Sequence, residues 1–300
     1  MTIIDHRSRP DTLDPDPPVL ADLEGRLRAP EPEARVAALR ALVRTARDGH
    51  VPGGTGDTLA WALADQDAAV RRIAAAALRE LPELYLGDDG VRALRLAAAH
   101  GRDPDVRSTA ADLLDTLVRG ASELYAQGLQ DDETHVRVQA VLGLVVLGAA
   151  GEVAEAADDP AREVRAAVAE GLARLATPAG TAVLDHLLAD HDPVVRMAAL
   201  DAAAELGVPE RLAARVAAAV THPGWQVRRR AALALGAAAP ETAIPPLVHA
   251  LRDRIVDVRR AAVQSLEQWA ADHPRALTAL TEALADPDPG VRTQARWSLA

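Results

Sequence analysis

The chain has 300 residues, 49% of them hydrophobic, which is ample apolar material for a large buried surface, yet only 2% are aromatic and Phe is absent. Its formal net charge is −11, all 33 basic residues are Arg, and there is no Cys. That combination excludes disulfide frameworks, thiol catalysis and thiolate metal sites, and it argues against a protein whose main task is gripping phosphate backbone.

Residues 1–19 are rich in Pro and Asp and are expected to form a disordered leader, with no apolar core of the signal-peptide kind. No apolar stretch is long enough to span a bilayer, so a cytoplasmic protein is expected. From residue 20 to the end the chain reads as one all-α domain built of a single repeated unit. Its anchor is a Val-Arg pair: Val70-Arg71, Val106-Arg107, Val136-Arg137, Val164-Arg165, Val195-Arg196, Val227-Arg228, Val258-Arg259 and Val291-Arg292, preceded by a degenerate copy at Ala34-Arg35. The arginines lie 28–36 residues apart, giving about nine copies.

Three residues after each Arg stands Ala (Val168 in one copy), and seven after stands Leu (Ala203 in one copy). Offsets −1, +3 and +7 fall on one helical stripe, so each copy contains a helix with a fixed buried edge, and Ala lets a neighbouring helix approach closely. Six residues before the Arg, Asp recurs at Asp65, Asp131, Asp159, Asp190, Asp253 and Asp286, often with Pro nearby. Such turns end one helix and cap the next, because a carboxylate accepts the free N–H groups at a helix start. A second amphipathic segment precedes each turn, so a repeat reads as helix A, short turn, helix B.

Departures from the pattern come in chain order. Residues 48–57 (DGHVPGGTGD) and 82–90 (PELYLGDDG) read as long inter-repeat loops, the first without the Gly-Lys-Ser/Thr of a phosphate loop. The fourth and fifth copies leave little room for a full helix A. The sequence stops at Ala300 inside a helix B, which leaves an open stacking edge; either the native chain continues or this edge is covered, with self-association the preferred reading.

Segments such as AIPPLVHALRDRIVDVRRAAVQSLEQW and ALTEALADPDPGVRTQARWSLA resemble HEAT repeats of the short type found in phycobilisome lyases. The resemblance implies a right-handed, armadillo-like α-solenoid, with the recurring Asp and Arg forming a ladder of caps and ion pairs between repeats. A repeated Arg is therefore no sign of nucleic acid. The same resemblance implies that helices B line a concave face, where offsets +1, +5 and +8 point outward.

On that face the sequence places candidate partner-binding residues: Arg72, Val138, Leu142, Val145, Glu170, Met197, Asp201, Arg229 and Arg260. The centre is apolar with acids beside it and Arg at the flanks, which suits a partner protein or peptide and not nucleic acid. No catalytic residue, metal or cofactor is assigned. His186 and His191 flank Asp190 and Asp192, but their i, i+5 spacing does not put both rings on one helix face. The rival reading is an enzyme-related role, glycosylase-like or lyase-like, for which Trp225 beside Arg228, Arg229 and Arg230 is the local hint.

Overall fold

A computed structural model of the chain describes residues 23–300, apart from 24, 49, 50, 52, 82 and 83. The leader 1–19 lies outside them. The chain divides into two compact units, residues 1–121 and 122–300. No strand occurs among the described residues, and none of their helices is long and apolar enough to cross a membrane.

The first unit holds α1 (Pro32–Arg47), α2 (Thr55–Ala62), α3 (Ala68–Glu80), α4 (Asp88–His100) and the first turns of α5 (Pro104–Gly128). Helix α1 packs on α3, and α2 packs on both α3 and α4. The second unit continues with α6 (Thr134–Leu147), α7 (Ala150–Glu155), α8 (Arg162–Leu175), α9 (Pro178–Leu187), α10 (Pro193–Glu205) and α11 (Glu210–Ala218). It ends with α12 (Trp225–Leu235), α13 (Pro240–Ala250), α14 (Val256–Leu266), α15 (Pro274–Ala283) and α16 (Pro289–Ser298). Here α6, α8, α10, α12, α14 and α16 pack one on the next in a layer of second helices, and α7, α9, α11, α13 and α15 stack beside them. This is an α-solenoid of HEAT-like repeats.

The periodic stripe is the core. Ala38, Ala74, Ala110, Ala140, Val168, Ala199, Ala231, Ala262 and Ala295 are all buried, as are Leu42, Leu78, Leu144, Leu172, Ala203, Leu235 and Leu266. Asp67, Asp192 and Asp288 cap α3, α10 and α16, each accepting the N–H of the residue two positions on at 2.8–2.9 Å. Pro stands in the first turn of α9, α10, α13, α15 and α16, where a missing N–H costs nothing.

One expectation of a helix–turn–helix in every copy is corrected. Helix α5 runs 25 residues without a break, so the second helix of the third copy and the first helix of the fourth are one rod. No Asp-Pro or Gly-rich turn interrupts Pro104–Gly128, and the isolated Gly120 is tolerated within the helix. The shortness of the fifth copy is as expected: α7 is a 6-residue helix followed by a 3-10 turn, Ala156–Asp158.

Close packing inside the second unit depends on two glycines. A Cβ at Gly171 would run into Val145 Cγ2, and one at Gly143 would lie 2.5 Å from the Tyr125 ring. Replacing Gly143 with Ala is therefore expected to cost about 1–3 kcal/mol, the usual range for overpacking, read as a lower urea midpoint. An unchanged midpoint would show that Tyr125 simply moves aside.

Candidate functional site

The recurrent Asp and Arg come together as inter-repeat rungs. Arg165 donates from Nε and Nη2 to the two carboxylate oxygens of Asp190 at 2.7 and 3.0 Å, while its Nη1 bonds Asp159 O at 2.7 Å. Arg35–Asp65, Arg137–Asp159, Arg228–Asp253 and Arg259–Asp286 repeat the arrangement, and Arg71 uses Asp103. Each of the six acids Asp65, Asp131, Asp159, Asp190, Asp253 and Asp286 also accepts the backbone N–H two residues on. Burial alone would push the Asp190 carboxyl up; the Arg165 fork and the Asp192 N–H outweigh it and hold it below the usual carboxylate range. These charges hold neighbouring repeats in register.

The ladder has a different chemistry at Arg196. Six residues before the next Arg stands His222, whose Nδ1 accepts the Gly224 N–H at 3.0 Å as a carboxylate oxygen does elsewhere. A neutral imidazole offers no charged fork, and Arg196 turns its Nε onto Asp190 O. Burial, followed by the nearby Arg196 charge, lowers the His222 pKa.

Of the sequence-selected face, Arg72 lies in the first unit, exposed, with Nε on Ala68 O at 3.2 Å. The rest lie in the second unit. Val138, Leu142 and Met197 are half-buried, and Glu170 and Arg260 are exposed. Val145 is a correction: at 9% exposure it belongs to the core, filling the space left by Gly171. Asp201 is half-buried on α10, and desolvation raises its pKa against the pull of Arg230, whose Nη1 lies 3.2 Å away; Glu205 and Glu170 add to the rise. Arg260 donates from Nη2 to Asp288 Oδ1 at 3.0 Å.

Met197 and Arg229 do come together. With Trp225, Gln226, Arg230 and Asp257 they bound a shallow depression of about 420 Å³. Trp225 is the first residue of α12 and is 37% exposed. Sequence reasoning missed Gln226 and Asp257; the available signal was the indole itself, three residues before Arg228, where other copies carry Pro, Ala, Thr, Arg or Val. His186 bonds Asp158 at 2.9 Å and His191 bonds Asp190 at 3.3 Å, and no group of three or more metal-ligating side chains occurs among the described residues.

A sequence model described as HEAT repeats matches residues 150–214 and 212–300. No curated protein matches the chain. Among solved structures, the Pds5–Scc1 complex shares the fold, with a TM-score of 0.57 and 12% identity over 94% of this chain and 56% of that one. A designed armadillo repeat protein in complex with a (KR)4 peptide gives 0.44 and 19%, covering 73% of this chain and 98% of that one. Human deoxyhypusine hydroxylase gives 0.36 and 22%, covering 81% and 94%.

Proposed function

Because the chain belongs to the HEAT repeat family, we propose that it is a non-catalytic, cytoplasmic scaffold that holds a partner protein or peptide on the face formed by its second helices. The observation that supports this reading is the burial of the repeat-register positions on the second helices of the second unit. Val138, Leu142 and Met197 are half-buried and not sealed in the core, and Glu170, Asp201, Arg229 and Arg260 stand at the corresponding offsets of the same helix layer. Apolar positions accompanied by both signs of charge suit a peptide or helix, whose backbone and mixed side chains need both.

The enzyme-related alternative drew on Trp225 beside three arginines. Arg228 is bound to Asp253 and Arg230 to Asp201, so the run presents far less positive charge than its sequence suggests. The test is affinity purification from the source cell with the wild type and with the double variant Leu142→Glu, Met197→Glu. Loss of co-purifying proteins from a variant that melts like the wild type is the expected outcome. The same proteins retained by both would sink the reading.

A further inference from the structure

We propose that the depression around Trp225 and Arg229 is a receptor for an acidic side chain of the bound peptide, Arg229 taking the carboxylate while Trp225 and Met197 cover its apolar neighbour. The inference rests on the scaffold reading and adds the chemistry of the partner.

The argument begins with register. Arg229 and Arg260 both stand one residue after a ladder arginine, on successive second helices. Arg260 is held by Asp288, the residue that caps α16. The corresponding cap residue of α14, the position opposite Arg229, is Ile255, which offers no carboxylate. Arg228 is tied to Asp253 and Arg230 to Asp201, so within this run Arg229 alone has no hydrogen-bond or ion-pair partner among the described residues. Its planar fork matches a carboxylate, and its half-buried stem is more ordered than that of an arginine in open water.

Trp225 supplies the second observation. It lies one helical turn before Arg229 on α12, so both side chains share a face. The other copies do without an indole at this position, so the core does not require it. Exposed Trp beside Arg is the composition of binding hot spots. Asp257 on the rim accepts hydrogen bonds, which suits the N–H groups of a peptide backbone. The same carboxylate, in a chain of net charge −11, opposes a run of phosphates. One carboxylate in register is favoured, and a polyanion is not.

The experiment uses the whole chain and fluorescence anisotropy of a labelled Gly-Ser peptide bearing a single Glu-Leu pair, its Arg-Leu counterpart, and labelled duplex DNA. The acidic peptide is expected to bind despite the like net charge, and Arg229→Ala and Trp225→Ala each to weaken it about tenfold or more with the melting temperature unchanged. Arg275→Ala, an exposed arginine on α15 in the other helix layer, should leave it unaffected. Equal binding by Arg229→Ala, no binding of the acidic peptide, or duplex binding in its place overturns the inference. If the basic peptide binds instead and is lost with Leu142→Glu, Met197→Glu, the scaffold reading stands and only the acidic specificity falls. Failure of both peptides and of partner capture removes both.

Discussion

Replacing Asp190 with Ala is expected to destabilise the second unit by about 3–5 kcal/mol, the largest effect of any single rung, because it strands a buried cation. The Arg165 and Asp190 side chains are each only 5% exposed. Removing the acid takes both fork bonds from Arg165 and the cap from the Asp192 N–H at once. The pair as a whole contributes much less than this figure, since its attraction has to offset the desolvation of both ions. Arg165→Leu with Asp190→Leu should therefore recover most of the loss. Urea midpoints of the three variants decide the matter: Asp190→Ala within about 0.5 kcal/mol of wild type would mean that water or another acid satisfies Arg165. As the Asp190 carboxyl is held below its ordinary range, its contribution is present at neutral pH and is lost as acid protonates it.

His222→Asp is expected to do the opposite and stabilise the chain, by about 1–3 kcal/mol at neutral pH, as Arg196 gains the charged partner that the other rungs supply. The melting temperature should rise by about 2–4 °C per kcal/mol. The wild type carries a pH dependence that this variant lacks. His222 Nδ1 accepts the Gly224 N–H and must be unprotonated to do so, while Arg196 and Arg228 both face the ring, Arg228 Nη1 also bonding His222 O at 2.9 Å. Its folded-state pKa lies below the ordinary value of 6.5, so the unfolded chain takes up the proton first. The stability that His222 contributes is complete above that value and drains away as pH falls below it. Thermal melts at a series of pH values between about 8 and 5 should show a slope in the wild type that His222→Asp removes. Identical slopes would show that this ring titrates alike in both states.

Much of this fold is legible in the sequence because the repeat is read many times over. Val164, Val168 and Leu172 on one helix form a weak pattern, but the same offsets in every copy mark a buried edge. The ladder followed from the family resemblance, and most of its partners sit where the spacing put them. What the spacing could not show was substitution of role: Asp103, four residues before Arg107 and not six, takes the rung from Arg71. Nor could it show that Val145 is buried, since that depends on Gly171 in the next helix opening a space for it. Helix α5 escaped because a turn was inferred from the period where no turn residues existed. The Trp225 depression joins three repeats, Met197 from one, Trp225 and Arg229 from the next and Asp257 from the third, so no single copy of the repeat contains it.

The histidine rung also governs how a failure would spread. In a stack whose members touch only their neighbours, cooperativity is carried across one junction at a time. Asp–Arg rungs tie 137 to 159 and 165 to 190 on one side of the α10–α12 junction, and 228 to 253 and 259 to 286 on the other. The α10–α12 junction of the second unit is thus held without an Asp–Arg rung, by helix packing and the Arg230–Asp201 pair. Mild acid reaches it through His222 before it reaches the carboxylate rungs.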